Sequence, residues 1–319
     1  MDWPQRAYRT NKHQECCALK DFPSSFSSGT VGHPIHVTCI QAAGKPGELF
    51  PMILLHGAFH TSESYLTTPD GRGGWATYFS NRGRTIFVPD WPGHGKSRVS
   101  ADYATLSTLD VAEAIGVLLR EVGPAIVVAH SAAGPVAWWL SEEHPDLVRA
   151  VVGIAPGPPG NIQAALPSDP DAIAALKYDS SVGCPVYSDE QSSVTVGREF
   201  IFDFWANSQQ FPTGSIDAYA ETIVPESARI LNERFNIGGT ALRLNQPDVV
   251  ASRPIMIMTG ELDPRHPKEV DAALADFLRA EHLWLPDAGI LGNGHMLMIE
   301  KNSDDIAGAI SSWLDRKGL

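Results

Sequence analysis

Short, almost wholly apolar runs separated by longer stretches of mixed polarity set the plan of this chain. The runs near residues 51–55, 84–88, 125–129, 150–154, 254–259 and 282–285 are rich in Val, Ile, Leu and Met, the signature of strands buried on both faces of a parallel sheet. A further strand region is expected near residues 31–41, at the amino-terminal side. Between the runs, apolar residues recur at helical spacing over about 72–81, 108–121, 132–143, 268–280 and 303–315. This alternation predicts an α/β fold with a mostly parallel central sheet flanked by helices.

The alternation breaks over residues 157–252. That interval is too long for a connecting loop, so it is expected to form a helical cap inserted between the sixth and seventh strands. The core would then comprise residues 31–156 and 253–319, behind an N-terminal extension of residues 1–30. Inside the cap, Phe200-Ile201-Phe202-Asp203-Phe204-Trp205 and then Phe211 concentrate aromatic rings. They are either the packed interior of the cap or, in part, a wall above the strand ends. Phe204 and Trp205 are the rings expected to meet a substrate.

Composition narrows the partners. The 319 residues carry a formal charge of −13, which repels nucleic-acid backbones and anionic membrane surfaces and leaves a small molecule of modest polarity as the expected ligand. Cys16, Cys17, Cys39 and Cys184 show no C-x-x-C spacing, so free thiols are expected and no metal or cofactor. Residues 1–20 lack the apolar run of a secretory signal, and no run reaches transmembrane length. The expectation is a cytoplasmic protein whose N-terminal extension is disordered or serves the contacts of a homodimer.

Candidate chemistry starts at Ala129-His130-Ser131-Ala132-Ala133-Gly134, directly after the run Ala125–Val128. A serine on a sharp strand-to-helix turn needs very small residues two before and two after it, and Ala129 and Ala133 meet that need. The alternative is an ordinary serine capping a helix. Upstream, His56-Gly57-Ala58-Phe59 follows a strand, where a backbone N–H can be aimed at a developing oxyanion. Ala58 and Ala132 would be the two donors. Downstream, His295 lies on the glycine-rich loop Gly292-Asn293-Gly294 and can approach a distant serine as general base. Asp263, just past the strand near 254–259, would orient that histidine, unless it is only a turn aspartate before Pro264. The order Ser131, Asp263, His295 is the nucleophile, acid, base order of one well-known fold. His33, His36, His144 and His266 are expected in surface or structural roles, with no partner nearby.

These residues resemble the α/β-hydrolase superfamily over roughly residues 30–319. His56-Gly57-Ala58-Phe59-His60 resembles the oxyanion turn of plant methylesterases and hydroxynitrile lyases, and Asp90-Trp91-Pro92-Gly93-His94-Gly95-Lys96-Ser97 is similar to the D-x-P-G-x-G-x-S loop of the superfamily. Thr68-Pro69-Asp70-Gly71-Arg72-Gly73-Gly74-Trp75 and the segment Gly292 to Asn302 resemble T-P-D-G-R-x-G-W and G-N-G-H-M-x-M-x-E-K-N motifs of a family of bacterial and fungal esterases. Those esterases carry a catalytic glutamate in an E-P-x-G-P-P segment; the matching position here is Ala155, followed by Pro156-Gly157-Pro158-Pro159. Asp263 is expected to take its place.

The resemblance implies a serine hydrolase that cleaves a carboxylic ester or lactone of a hydrophobic small molecule through an acyl-enzyme. Ser131, Asp263 and His295 would be catalytic, Ala58 and Ala132 would hold the oxyanion, and Phe59, His60, Trp91, Phe204 and Trp205 would contact substrate. A second reading is a lyase, cyclase or retro-aldol enzyme on the same fold, using Ser131 and His295 for proton transfer alone. A third is a ligand-binding receptor that kept the fold.

Overall fold

A computed structural model of the chain describes residues 22–44, 49–176 and 188–319. Cys16, Cys17, Cys184 and most of the N-terminal extension lie outside the described residues. The strands are β1 (Ser25–Gly29), β2 (Pro34–Ile40), β3 (Met52–Leu55), β4 (Ile86–Pro89), β5 (Ala125–His130), β6 (Val148–Ile154), β7 (Ile255–Thr259) and β8 (Glu281–Trp284). They form one sheet in the order β1-β2-β4-β3-β5-β6-β7-β8. The β1–β2 and β2–β4 pairs are antiparallel, and all later pairs are parallel.

The parallel strands are buried because helices cover both faces. Every residue of β3, β4, β5 and β7 is buried, which is why these segments read as continuous apolar runs rather than alternating ones. On one side the helix Thr108–Val122 lays Val111, Ile115, Leu118 and Leu119 on the sheet. Its start is fixed by a capping box in which the Ser107 hydroxyl and the Asp110 carboxylate exchange hydrogen bonds with each other's backbone N–H. On the other side the helix Ser303–Lys317 buries Ile306, Ile310, Trp313 and Leu314, with Asp304 and Asp305 in its first turn and Arg316 and Lys317 in its last.

Two boundaries differ from the expectation. The sheet begins at β1, ahead of residue 31, because the serine-rich segment Ser25–Gly29 hides its one large anchor, Phe26, whose ring meets Phe22 at 5.1 Å and Phe87 at 6.2 Å. The helix expected from residue 72 starts at Trp75. The Thr68 hydroxyl and N–H both bind the Arg72 backbone, and the resulting turn holds residues 68–72 out of the helix.

Between β6 and β7 the described residues form the helices Pro170–Leu176, Arg198–Phe204, Ile216–Ala220, Ala228–Arg234 and Pro247–Val250. Trp205, Phe211 and Tyr219 of this interval belong to the same buried cluster as Phe59 and Met296 of the core. The insertion is thereby packed over the carboxyl ends of the strands, where the loops carrying Ser131, Asp263 and His295 also emerge.

Candidate active site

Ser131 follows the last residue of β5 and has φ of +52°, a left-handed backbone that a sharp strand-to-helix reversal imposes on a non-glycine residue. The turn is possible only because its neighbours are small. A β-carbon at Gly57 would lie 2.9 Å from the Ser131 β-carbon, and one at Gly134 would lie 2.3 Å from the Gly157 carbonyl oxygen. Ala129 and Ala133 are both fully buried against the sheet. Ser131 itself stays partly accessible. Among the described residues, the N–H groups of Ala58 and Ala132 donate to no protein acceptor. Two such donors beside a partly accessible serine are suited to a developing oxyanion.

His295 and Asp263 meet at the end of β7. Asp263 Oδ2 lies 2.6 Å from His295 Nδ1, so that nitrogen carries the proton and Nε2 keeps a lone pair. Their loops dock because Gly260 has no side chain: a β-carbon there would sit 2.5 Å from the Gly294 carbonyl oxygen. Leu262 N–H donates to the Asn293 carbonyl at 2.9 Å and completes the junction. Burial works against the Asp263 charge, but His295, His266 and the hydrogen bonds from His295 and the Arg265 N–H outweigh it and hold the carboxyl at about 2. Burial pulls His295 below the ordinary histidine value, with Asp263 opposing that shift. The imidazole is therefore neutral at neutral pH, as a general base must be. The elbow is tied to this loop by His130, whose Nε2 donates to the His295 carbonyl at 3.1 Å and whose ring centroid is 4.7 Å from that of His295.

A second layer of residues fixes these loops. Glu300 is fully buried; Oε1 accepts from the Gly294 N–H at 2.8 Å and from the Ser208 hydroxyl, and Asn293 donates to Oε2 at 2.5 Å. Arg72 donates to the Glu300 carbonyl at 2.9 Å and Trp75 Nε1 to the Ser303 carbonyl at 2.9 Å, so the two long motifs, at residues 68–75 and 292–302, are one structural unit. On the opposite side, Glu226 of the insertion accepts from the Phe59 N–H at 3.0 Å and from His94 Nε2 at 3.1 Å. Nδ1 of His94 faces the Pro92 carbonyl at 3.2 Å. Both nitrogens thus face acceptors. Burial disfavours the imidazolium, but Glu226 and these hydrogen bonds prevail and raise His94 above the ordinary histidine value.

The residues expected to contact substrate divide into three groups. Phe59, His60 and Trp205 come together, with Trp205 4.7 Å from His60 and 5.6 Å from Phe59 by ring centroids. His60 Nδ1 donates to the Ala58 carbonyl and Nε2 accepts from the Tyr219 hydroxyl, each at 2.7 Å, and burial pushes this histidine down to about 3. Phe204 is half-buried beside Phe200, under the Arg265 guanidinium at 4.6 Å. Trp91 lies elsewhere: its ring packs at 4.8 Å on His56 and 5.7 Å from His94, inside the cluster beneath the turn.

The expectation that four histidines lack partners does not hold. His33 lies 3.8 Å from Asp110, His36 3.8 Å from Asp90 and His144 3.2 Å from Arg120. His266 is buried and stacks on His295 with centroids 5.6 Å apart; Nδ1 is 2.9 Å from Asp271 and Nε2 3.4 Å from an Arg234 nitrogen. Pro267 beside it in the sequence suggested a plain loop, and its partners lie on other elements. Among the described residues, Asp263, His266 and His295 each bring one ligand-type atom within 4.8 Å of the others. A cation there would have to displace the Asp263–His295 hydrogen bond and face the Arg234 guanidinium, so the cluster suits proton transfer better than metal ligation.

Comparison with known proteins agrees with this architecture. The sequence profile of the α/β-hydrolase family matches residues 52–309. A protein named as a probable secreted lipase, phiG, from Fungal sp. (strain ATCC 74256) is 24% identical over 341 aligned residues, covering 86% of this chain and 84% of its own. A thermophilic esterase from Thermogutta terrifontis superposes with a TM-score of 0.62 at 16% identity, covering 92% of this chain and 99% of that one. Est816, described as an N-acyl homoserine lactone degrading enzyme, gives 0.60 at 16% identity, covering 90% and 99%. No helix of the described residues is long and apolar enough to cross a membrane.

Proposed function

This chain belongs to the α/β-hydrolase family, and we propose that it is a serine hydrolase cleaving a carboxylic ester or lactone of a hydrophobic small molecule. The observation that carries this reading is the 2.6 Å contact between Asp263 and His295 on a loop tied to the Ser131 elbow. Ser131 Oγ attacks the carbonyl carbon while His295 Nε2 takes its proton, and the oxyanion settles between the Ala58 and Ala132 N–H groups. Collapse breaks the bond to the alkoxy group, which leaves as an alcohol with the proton from His295. Water then repeats the sequence on the acyl-enzyme, releasing the acid and restoring Ser131. Asp263 keeps the proton on Nδ1 and stabilises the imidazolium.

The insertion between β6 and β7 is read as a cap that selects substrate through the rings around Trp205 and Phe204, and the names of the lipase and esterase relatives support an ester as the reacting group. A fluorophosphonate probe tests the nucleophile. It should add one label to the wild type and none to Ser131→Ala; labelling that survives in the variant would remove Ser131 from the mechanism.

A further inference from the structure

Arg234 ends the helix Ala228–Arg234 and stands on the Ser131 side of the site. A β-carbon at Gly157 would lie 3.3 Å from the Ser131 carbonyl oxygen and 3.4 Å from Arg234 Nε, so the absent side chain of Gly157 is what leaves space between the nucleophile turn and the guanidinium. Arg234 also lines a small cavity together with Ala132, Pro135, Pro158 and Ile230. Ala132 supplies one of the two oxyanion donors. The guanidinium therefore opens onto the cavity that borders the reacting centre.

Its charge is only partly offset by the protein. One nitrogen lies 3.4 Å from His266 Nε2, while His266 Nδ1 faces Asp271 at 2.9 Å. Among the described residues, no carboxylate forms an ion pair with Arg234; Asp271 and Asp263 act on it only at longer range. Glu233 shares the cavity wall, but its two oxygens are taken by the Thr108 N–H at 2.7 Å and by Arg229 at 3.0 Å. A second guanidinium, Arg265, stands over the Phe235 ring at 5.7 Å, as Arg234 does. Arg234 stands at His266, and Arg265 is close enough to His295 to oppose its protonation. Partly shielded from water and in no ion pair, the Arg234 guanidinium can hold a bound carboxylate by charge-assisted and bidentate hydrogen bonds.

We propose that Arg234 is the recognition group for a carboxylate on the substrate, so that the ester or lactone cleaved has an apolar body and a remote acid group. This rests on the ester-hydrolase reading above. The carboxylate docks on the guanidinium while the scissile carbonyl lies at Ser131, and the aromatic side of the site takes the rest.

The test compares esters matched in chain length and differing in charge: 4-nitrophenyl hydrogen adipate, pimelate and suberate against 4-nitrophenyl hexanoate, heptanoate and octanoate. At least one charged ester should exceed its neutral partner by about tenfold or more in kcat/KM, mostly through KM, the scale of a charge-assisted hydrogen bond. Arg234→Gln should remove that ratio and Arg234→Lys should keep part of it. A purely structural arginine would lower both members alike; an unchanged ratio in Arg234→Gln overturns the proposal. Calorimetry separates this outcome from a failure of the hydrolase reading. Ser131→Ala protein should bind monomethyl adipate more tightly than methyl hexanoate, and the added Arg234→Gln change should abolish the difference. Equal binding of the two esters overturns carboxylate recognition even where no ester is cleaved.

Discussion

Glu226 accepts a hydrogen bond at 3.0 Å from the N–H of Phe59, a residue 167 positions away and itself strained at φ of +65°. The carboxylate comes from the insertion, and the N–H belongs to the turn whose Ala58 N–H is the proposed oxyanion donor. The same carboxylate is paired with buried His94. One side chain thus fixes the turn's backbone and closes the insertion against it. Glu226→Ala would leave the buried Phe59 N–H without its acceptor and let burial drive His94 toward the neutral form, and should cost about 1–3 kcal/mol of stability in denaturant titrations. At temperatures where the variant is folded, kcat should fall more than KM rises, since the turn serves the transition state. Glu226→Gln, which keeps an oxygen for the Phe59 N–H, should recover more of kcat than of stability. Equal losses in both variants would assign the group to charge pairing alone.

Stability should fall as the solution is made acidic, starting well above the carboxylate range. Burial, first among the causes, holds His56, His60 and His130 below the ordinary histidine value of 6.5, His60 at about 3. Each is protonated in the unfolded chain before it can be in the folded one, so each withdraws stability as pH drops below 6.5. At pH 5.5 each costs about 1.4 kcal/mol. His94 has the opposite sign: its raised value adds stability that is fully present below 6.5 and is lost as pH rises through its folded value. With His144, His282 and His295 also held low, six groups against one predict a lower Tm at pH 5.5 than at pH 7 in thermal denaturation. A Tm that rises on acidification would mean that these imidazoles become charged in the folded state.

Activity should survive to lower pH than an ordinary histidine allows. His295 is held below its usual value chiefly by burial, so the neutral base persists as pH falls, and the acid limb of kcat/KM should lie below 6.5. Initial rates taken before unfolding separate this limb from the stability loss above. A limb above 6.5 would show that Asp263 outweighs desolvation in the working enzyme.

The strands and the loops carrying Ser131, Asp263 and His295 were legible because each depends on local pattern: an apolar run, then a turn with small residues. Arg234, Glu226 and His266 were not. Glu226 sits between Pro225 and Ser227 with no periodic context, and its partners Phe59 and His94 lie on other elements. His94 and Glu300 stood inside motifs that could be read, but their roles depend on contacts across the fold, Ser208 with Glu300 among them. Trp91 shows the converse. An aromatic next to a strand end suggested a substrate wall, whereas the fold packs it on His56 beneath the turn. Local spacing marks the groups proposed to do chemistry, and the groups that hold them in place are set by tertiary contact.

The esterases with similar motifs place a glutamate where this chain has Ala155, a buried residue with φ of +42° at the end of β6. In this protein the carboxylate on His295 Nδ1 comes from Asp263, one strand further along the sheet. Asp263→Asn keeps the size and can still hydrogen-bond, yet its amide can donate to Nδ1 and favour the tautomer that carries the proton on Nε2, where the serine's proton must go. In a comparable triad that change costs about 10⁴ in kcat. The folded state should also lose the stability that the depressed carboxyl supplies: a group held at about 2 against an ordinary 3.8 contributes above 3.8, and that contribution disappears as pH falls through 2. At pH 7 the variant should therefore be both nearly inactive and less stable, with near-ultraviolet circular dichroism and denaturant midpoint reporting the second effect separately. A loss of less than tenfold in kcat for a folded variant would show that His295 does not depend on Asp263, and would return the choice of acid to another carboxylate.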